Sequence, residues 1–544
     1  MPDIRRRHLW ILLAILLLGL GLRFRGISWG LPDQSRYYHG SSYHPDEQSM
    51  FYALKEISWS RRQFYPTDPI IGCRGTLQMY TIGLALTVCR PWLTIRPDST
   101  YYQEHPQELS RIYRVGRWVS VLQSLAAVIA LFWLSTLKTG NSRTGLIAAA
   151  LLAVSPVHVV NAHYISTDSA FTLYLILLGI ACLRIYQKGS LSAFGWAGFV
   201  FGLLTANKFN AVSALLIPLT ADVLRHQGIK PGKNWILFTG TAVAGFLIGC
   251  PTPVLGPHDF VALLHHLKTM SLMKFSPLMD GSFPPSNLMF YGLEAFYFGL
   301  GIPLWIAVLA GTARALFRRD PGDMIWWPWL VIFFVLITNT SWRVMRWIIP
   351  LLIPMFLWTA EWLSTIRGRK TILAVVLLGT TVYSACYVYA MSTPDVRDTS
   401  SDWIAEHWPP NARVGFTQKP YLWDPTIFQM PYFHPQTSGK NPDQPAFKIY
   451  PLDESLQQLQ LTQPDYLVAN DYFTGVYRLN PSAYRLLPAG QFLAEVFNPA
   501  AYRTVATFGK RVRLGPIDLY GKDLRYPHDW RYPFPTITLM EKVP

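Results

Sequence analysis

The chain has 544 residues, of which 51% are hydrophobic and only 15% are charged, against roughly 25% charged residues in a typical soluble domain. This balance excludes a wholly soluble protein, and the high hydrophobicity excludes a disordered chain. The net charge of +16 lies entirely before residue 391, because residues 391–544 carry 15 basic and 15 acidic side chains. A basic surplus confined to the apolar part is typical of membrane topology and argues against nucleic-acid binding.

Apolar runs in the first 391 residues predict about eleven membrane helices, since one bilayer crossing needs about 20 apolar residues. The first run follows the basic residues 5–7 and is predicted to remain as a helix, because no small-x-small cleavage site follows it. The stretch 192–225 is too long for one straight helix, so we expect it to break near Asn207 and Lys208. The other spans are predicted near residues 114–137, 143–162, 167–186, 234–252, 287–316, 323–340, 345–364 and 371–391.

The basic residues between these spans predict the orientation of the chain, because cytoplasmic loops carry an excess of Lys and Arg. We expect an integral protein of the plasma (inner) membrane with a cytoplasmic N-terminus. The basic clusters that define the cytoplasmic side lie at residues 5–7, 138–143, 184–188, 225–233, 318–319 and 367–370. The segments predicted on the outer side are a first loop at about 27–112, the links 163–168 and 340–345, a loop at about 253–286, and the tail from 392.

Residues 392–544 predict a separate outer (periplasmic) domain after the membrane domain of residues 1–391. The segments PDYLVANDYF and PYLWDPTIFQM are typical of strands set between turns. They indicate a compact α/β domain. The fold class expected for the whole chain is therefore mainly α, a polytopic helix bundle followed by an outer α/β domain.

The first candidate site residues lie in the sequence SYHPDEQ at residues 42–48, within the first outer loop. Pro45 suits the first position of a helix, which puts Asp46 and Glu47 at the positive end of the helix dipole. The sequence EQSMFYALKEI that follows has an amphipathic pattern and predicts an interfacial helix. Two interpretations stay open: a pair of chemically active acids, or the acidic first turn of a well-capped helix.

A third acid, Asp168, ends the sequence HYISTD at the link between the third and fourth spans. Acids at the membrane boundary carry a desolvation cost and are often functional. The alternative is that Ser166, Thr167 or Asp168 simply caps the fourth helix.

Three cations occur where the topology does not predict them. Arg343 and Arg346 stand at the outer end of a span in the sequence SWRVMRW, and their spacing of three places them on one helix face. Guanidinium groups bind phosphate through two hydrogen bonds, which favours a phosphate clamp, with snorkelling to lipid headgroups as the alternative. Lys208 lies inside an apolar stretch and needs a counter-charge, such as Asp46, Asp168 or a ligand phosphate, unless it reaches the membrane interface at the helix break.

No motif for a metal or a nucleotide stands out in the sequence. His258, Asp259, His265 and His266 lie in one predicted loop, but their spacing matches no HExxH or equivalent motif. The sequence also has no P-loop, no GxSxG, and no GxGxxG followed by a ribose-binding acid. The sequence therefore requires no cofactor.

Taken in chain order, these motifs resemble the GT-C superfamily of membrane glycosyltransferases, and within it the branch of protein O-mannosyltransferases and aminoarabinose transferases. The resemblance covers roughly residues 1–391 and depends on YHPDEQ, RVGRWVSVL, HYISTDSAFTLYL, GLLTANKFNA and RVMRWIIPLLIP. It implies a GT-C helix bundle with interfacial helices in the first outer loop. It also implies an inverting transfer from a polyprenyl-phosphate sugar to a hydroxyl of a lipid, glycan or protein acceptor on the outer face.

The resemblance further implies a role for each candidate residue. Asp46 would be the general base, Glu47 would orient the acceptor hydroxyl or share that work, and Asp168 would be the second acid that positions acceptor or donor. The cations that would stabilise the departing polyprenyl phosphate are Arg343, Arg346 and Lys208. The candidate substrate-binding residues are Tyr43, His44, His163 and Asn207. No residue is assigned to a metal. Because GT-C branches differ in metal dependence, a requirement for a divalent cation stays open, but the sequence offers no set of ligands for one.

Two other functions are compatible with the residues. A transporter or flippase for a lipid-linked substrate would also have intramembrane charges such as Lys208, but transporters usually have repeat symmetry with a broken helix in each half. A membrane scaffold whose tail binds a partner would explain the tail, but not two acids and two arginines on one side. We therefore favour the glycosyltransferase.

Overall fold

The computed structural model of the chain describes residues 5–33, 40–58, 60–72, 75–96, 99–228, 232–272, 287–340, 343–428, 447–519 and 528–544. Within these ranges most residues are helical, and every strand of the five-stranded sheet lies after residue 412. The fold class predicted from the sequence, a mainly α bundle followed by an α/β domain, is confirmed.

The first part of the chain folds into a bundle of helices. Their bounds in chain order are α1 (Arg6–Phe24), α2 (Pro45–Glu56), α3 (Pro69–Gly72), α4 (Thr76–Cys89), α5 (Ser99–Glu104), α6 (Pro106–Thr139), α7 (Ser142–Val154), α8 (Pro156–Asn161), α9 (Asp168–Lys188), α10 (Leu191–Asn207), α11 (Leu216–His226), α12 (Lys233–Gly249), α13 (Thr252–Leu255), α14 (Pro257–Leu272), α15 (Asn287–Met289), α16 (Ala295–Leu300), α17 (Ile302–Arg318), α18 (Pro321–Met324), α19 (Trp327–Thr338), α20 (Ile349–Thr365) and α21 (Arg369–Met391). Short 3-10 segments at Phe209–Leu215 and Met345–Ile348 precede α11 and α20.

Several of these helices are suited to crossing a membrane, and the chain is an integral membrane protein. Among the described residues, six helical stretches are long and apolar enough to span a bilayer: Arg6–Phe24, Pro106–Thr139, Asp168–Lys188, Pro321–Thr338, Met345–Thr365 and Arg369–His407. Two shorter apolar helices are Ser142–Val154 and Leu191–Asn207. The other predicted spans coincide with helices of fewer than 18 residues, because proline, glycine or a polar residue divides the apolar run.

The predicted break in the stretch 192–225 is confirmed. Helix α10 ends at Asn207, and Lys208 has an extended backbone with φ −158° and ψ 115° before the next helical turn begins at Phe209. The stretch 287–316, which we expected to be one span, is instead divided between α16 and α17. The division lies at Gly301, whose φ of +73° suits glycine and whose added Cβ would lie 2.9 Å from the Tyr383 ring.

Glycines allow α10 and α12 to cross closely. A Cβ atom on Gly198 would lie 2.1 Å from the Phe238 carbonyl oxygen, and one on Gly202 would lie 2.1 Å from that of Ala242. Small residues commonly permit such close contacts between membrane helices. The crossing fixes the end of α10, where Asn207 and Lys208 lie.

The apolar face of α2 packs against other helices of the bundle. Met50 and Ala53 are buried in a cluster with Met79 and Ile82 of α4 and Tyr113 of α6. The partly buried side chains that complete this face are Phe51, Leu54 and Ile57. Because α2 is held on one side by this cluster, the position of its N-terminal turn relative to α6 is well defined.

The C-terminal part contains helices α22 (Val396–His407), α23 (Leu456–Thr462), α24 (Asp471–Leu479) and α25 (Pro488–Val496) and strands β1 (Arg413–Phe416), β2 (Lys448–Pro451), β3 (Tyr466–Asn470), β4 (Tyr502–Gly509), β5 (Arg513–Leu514), β6 (Ile517–Asp518) and β7 (Thr536–Lys542). Five strands form one sheet in the order β2-β1-β3-β7-β4, with β1 parallel to β2 and β3, and β7 antiparallel to β3 and β4. A separate pair is formed by β5 and β6. The predicted strand in PDYLVANDYF is confirmed as β3.

The segment PYLWDPTIFQM, which we expected to be a strand, forms a turn and a short helical segment in its described part. Asp424 accepts a hydrogen bond from the Tyr421 backbone N–H at 2.9 Å, which closes the turn locally. Thr426–Phe428 then continues as a 3-10 segment. The prolines at 420 and 425 remove two backbone donors, so this segment is poorly suited to a sheet.

The C-terminal part packs directly on the helix bundle. The Trp29 indole N–H donates to Asp395 at 2.9 Å, and Lys510 donates to the carbonyl oxygen of Ala390 at 3.0 Å. The rings of Tyr387 and Trp530 meet edge to face with their centroids 4.3 Å apart. These contacts place the C-terminal residues around 530 beside the end of the bundle where α2 and α9 begin.

Candidate active site

Asp46 lies in the first turn of α2, where the local sequence favours a helix start. Pro45 is the first helical residue, and the His44 imidazole caps the helix by accepting the Asp46 backbone N–H at 3.3 Å. The positive end of the helix dipole stabilises a carboxylate at this position. Asp46 Oδ2 accepts a hydrogen bond from Arg346 Nη2 at 2.8 Å.

Arg346 connects Asp46 to the second acid predicted from the sequence. Its Nε lies 3.5 Å from Oδ2 of Asp168, so one guanidinium spans two carboxylates from distant parts of the chain. Lys208 Nζ donates to the other oxygen of Asp168 at 2.8 Å. The structure therefore brings together four of the predicted site residues, with two cations and two carboxylates in alternation. The side chains of Asp46, Lys208 and Arg346 are 25%, 23% and 17% exposed, so the cluster is not sealed inside the protein.

Asp529 joins this cluster from the C-terminal part, and sequence reasoning missed it. Its two carboxylate oxygens accept the backbone N–H groups of Met345 at 3.0 Å and Arg346 at 3.2 Å. The side chain is buried, and burial raises its pKa above the ordinary value for Asp, against the opposing effect of Arg346. Asp529 thus fixes the backbone that carries Arg346. No local pattern marks it, because its partners lie 183 and 184 residues earlier in the chain.

Glu47 occupies a different environment from its neighbour Asp46. Its carboxylate accepts two hydrogen bonds from the Arg117 guanidinium, at 2.8 and 2.7 Å, and a third from the Ile165 backbone N–H at 2.8 Å. Both side chains of the ion pair are fully buried. Arg117 also donates to the carbonyl oxygens of Ile27 and Trp29 at 2.6 and 2.7 Å. Arg117 was not singled out from the sequence, although the motif RVGRWVSVL contains it.

Asn207 positions the residues next to Asp168. Its Nδ2 donates to the Thr167 carbonyl oxygen at 2.9 Å, which ties the end of α10 to the residue before α9. Its own backbone carbonyl approaches Gly75, where an added Cβ would lie only 1.9 Å from that oxygen. Lys208 follows directly and reaches Asp168, so the break in the apolar stretch presents this cation to the acid.

Tyr43 and His163 are buried and are engaged with the protein itself. The Tyr43 hydroxyl donates to Asp398 at 2.5 Å and lies 2.7 Å from the Thr426 hydroxyl, which joins the first loop to the C-terminal part. The two ring nitrogens of His163 lie 2.9 and 2.8 Å from the carbonyl oxygens of Val159 and Arg25. Burial lowers the pKa of His163 to about 4.

His44 is enclosed by aromatic rings. It stacks on Tyr164 with centroids 4.3 Å apart, and the edge of Tyr532 approaches it at 5.3 Å. Burial lowers the pKa of His44 to about 4, so its imidazole is neutral near pH 7.

Arg343, the remaining predicted residue, donates from Nε to the Asn287 side chain at 2.7 Å, whereas the guanidinium of Arg346 lies between the acids.

The described residues contain no group of three or more His, Cys, Asp or Glu side chains placed to hold a metal ion. His258 and Asp259 lie on α14 with 3.9 Å between His258 Nδ1 and Asp259 Oδ1, and Asp259 accepts a hydrogen bond from the Tyr65 hydroxyl at 2.9 Å. The ion cluster of Asp46, Arg346, Asp168 and Lys208 itself consists of two carboxylates, a guanidinium and an ammonium group.

Three solved structures resemble the chain in fold. The first is the apo oligosaccharyltransferase of Archaeoglobus fulgidus, at 12% identity, with a TM-score of 0.47, 94% of this chain and 75% of that chain covered. The second is ArnT from Cupriavidus metallidurans bound to undecaprenyl phosphate, at 10% identity and a TM-score of 0.48, with 97% of each chain covered. The third is the arabinofuranosyltransferase AftD from Mycobacteria, at 16% identity and a TM-score of 0.40, with 99% of this chain and 40% of that chain covered.

Sequence comparison identifies a family for one segment of the chain. Residues 112–252 match the model of dolichyl-phosphate-mannose-protein mannosyltransferases, and this segment includes Arg117, Asp168 and Lys208. A comparison with curated protein sequences gives no significant match. The match confirms the resemblance that the motifs indicated: residues 112–252 are similar to the dolichyl-phosphate-mannose-protein mannosyltransferases.

Proposed function

We propose that this protein is an inverting glycosyltransferase that moves a sugar from a polyprenyl-phosphate donor to a hydroxyl group of an acceptor. The observation that carries this proposal is the bridge from Asp46 through Arg346 to Asp168 and Lys208. The family description of residues 112–252, which names a dolichyl-phosphate mannose donor, supports the same class of donor. The acceptor is a lipid, a glycan or a protein. The positive-inside pattern favours the outer face of the plasma membrane.

In the proposed reaction, Asp46 is the general base. It takes the proton of the acceptor hydroxyl as the oxygen attacks the anomeric carbon of the donor sugar. The bond between that carbon and the phosphate oxygen breaks, and its electron pair leaves with the polyprenyl phosphate. One displacement of this kind inverts the anomeric configuration. A positioned base of this type accelerates a reaction by about 10² to 10⁴-fold.

The cations have a clear role in this scheme, because the leaving phosphate gains negative charge as the bond breaks. Arg346 offers several N–H groups in one plane, and Lys208 adds a point charge 2.8 Å from Asp168. Fixed cations at the position where charge develops lower the barrier. When a phosphate takes up N–H groups of Arg346, it competes with Asp46 Oδ2 for that guanidinium and weakens the ion pair.

The remaining candidate residues divide into two groups. We assign Glu47 a positioning role, because its carboxylate is already bound by Arg117 and Ile165 and so holds the start of α2. Arg343 remains a candidate phosphate ligand near Arg346. The residues that we assign to positioning the surrounding backbone are Tyr43, His163 and Asn207.

The proposal is tested by incubating membranes that contain the protein with polyprenyl phosphates carrying a labelled sugar. A transferase moves the label to a new product that no longer contains the polyprenyl phosphate. A flippase would relocate the labelled lipid between leaflets without breaking the sugar–phosphate bond, so recovery of intact donor alone would contradict the proposal. Membranes that lack this protein are the negative control.

Arg346→Gln is expected to weaken donor binding by about 10- to 100-fold, because it removes charge-assisted hydrogen bonds to the phosphate. Affinity is measured with undecaprenyl phosphate and with undecaprenol, which lacks the phosphate. The loss should occur only for the phosphate. Arg343→Gln is the matched comparison, and a smaller effect would assign the main phosphate contact to Arg346. Equal losses for both lipids would contradict a phosphate clamp.

A further inference from the structure

Several buried polar atoms near the proposed active site have no hydrogen-bond partner in the structure. Each of these atoms belongs to a residue within four sequence positions of Asp46, Asp168 or Lys208. These atoms are His44 Nε2, Gln48 Oε1, Tyr164 Oη, Ser169 Oγ and Asn207 Oδ1. Buried polar atoms in folded proteins are nearly always hydrogen-bonded, so several exceptions close in sequence to the site residues call for a water or a ligand.

The hydrogen on the His44 ring can be assigned from its neighbours. Nδ1 accepts the Asp46 backbone N–H, so Nδ1 carries no proton of its own. Burial lowers the pKa of His44 to about 4, so the ring is neutral near pH 7. The proton of the neutral ring is therefore on Nε2. His44 thus holds a buried N–H donor without an acceptor, two residues from the proposed base.

Tyr164 holds a second polar group in the same position. Its ring stacks on His44 with centroids 4.3 Å apart and an angle of 30° between the planes. Its hydroxyl is buried, has no partner, and lies within the electrostatic influence of Arg117 and Glu47 and, more weakly, of Asp529 and Arg346. The two stacked rings therefore place two uncharged hydrogen-bond donors beside the N-terminal turn of α2, which carries Asp46.

Resting on the proposed function, we propose that His44 Nε2 and Tyr164 Oη bind hydroxyl groups of the donor sugar. A sugar hydroxyl both accepts and donates a hydrogen bond, so it can accept from these two groups and donate to a nearby carboxylate. Both groups of the pair are uncharged, whereas a phosphate gains more from the charged N–H groups of Arg346 and Lys208. The pair therefore contributes to recognition of the sugar, whereas Arg346 and Lys208 contribute to recognition of the phosphate.

Tyr164→Phe tests the proposal, because it removes one hydroxyl and keeps the ring that stacks on His44. The full-length protein in detergent is titrated with undecaprenyl phosphate and with undecaprenyl phosphates carrying mannose, glucose, galactose or arabinose. We expect at least one glycosylated lipid to bind the unchanged protein more tightly than the bare carrier. Tyr164→Phe should reduce that advantage by about threefold to tenfold, the effect of one neutral hydrogen bond. Its affinity for the bare carrier should not change.

Tyr502→Phe is the matched control, because its buried hydroxyl donates to the Pro464 carbonyl oxygen in the C-terminal part and lies outside the cluster. It should retain the full advantage of the glycosylated lipid. If Tyr164→Phe also retains the full advantage of the glycosylated lipid, then His44 and Tyr164 bind only water and the inference is overturned. If the unchanged protein binds bare and glycosylated carriers equally, the sugar subsite is overturned while the donor class stands. If it binds none of these lipids, the proposed function itself fails.

Discussion

Replacing Asp46 with Asn is expected to lower the rate of sugar transfer by about 10²- to 10⁴-fold, the usual contribution of a positioned general base. Asn has nearly the same shape as Asp, so the start of α2 and the cap from His44 should persist. The amide cannot take a proton from the acceptor hydroxyl. Donor binding should change little, because Arg346 and Lys208 remain in place and the phosphate contacts depend on them.

The rate is measured in single turnovers with saturating donor, and donor affinity is measured separately with undecaprenyl phosphate. Asp68→Asn is the matched control, since it removes a half-buried carboxylate from the same loop whose local partner is the Ile70 backbone N–H. We expect that control to transfer sugar at close to the unchanged rate. An Asp46→Asn protein of nearly full activity would remove the assignment of the base.

Glu47→Gln is expected to destabilise the protein by about 3 to 5 kcal/mol, because it leaves the Arg117 guanidinium charged and unpaired in a buried site. Both partners of this ion pair are fully buried, and the carboxylate also binds the Ile165 backbone N–H. The measurement is the free energy of unfolding in detergent, or the shift of the thermal midpoint. The start of α2 should be the first region to lose protection from hydrogen exchange.

Helix α6 supplies a matched control for this prediction. Arg111 and Glu108 form an ion pair at 2.8 Å on the same helix, but the Arg111 side chain is 53% exposed. Glu108→Gln should therefore cost less than about 1 kcal/mol, as exposed ion pairs usually do. Similar small losses for Glu47→Gln and Glu108→Gln would mean that Arg117 finds another partner, and would contradict the positioning role of Glu47.

Much of the fold was predictable because apolar runs and breaks have local causes. The break after Asn207 follows from a charged residue within an apolar stretch, and the structure places it as predicted. The division at Gly301 was missed because a glycine within an apolar run usually continues the helix. The positive φ of Gly301 and its close contact with Tyr383 of α21 involve residues far apart in the chain, so they are seen only in the structure.

The site was predictable where a residue violates a local expectation. Asp46, Asp168, Lys208 and Arg346 are charges in unexpected places, and the structure brings them together. Asp529 could not be found in this way, because an aspartate in a polar segment agrees with what the local sequence leads one to expect. Similarly, the sequence did not distinguish Glu47 from Asp46, since the difference between them depends on Arg117, 70 residues away.

The backbone contact between Asp529 and Arg346 also has a consequence for biosynthesis. After Arg346 the ribosome adds 183 residues to reach and include Asp529. At about 5 to 20 residues per second, this takes roughly 10 to 40 s. During that time the other charged groups have been made but the carboxylate that fixes the Arg346 backbone has not. A nascent chain therefore acquires the contact that fixes the Arg346 backbone late, after the segment with Asp529 has been synthesised.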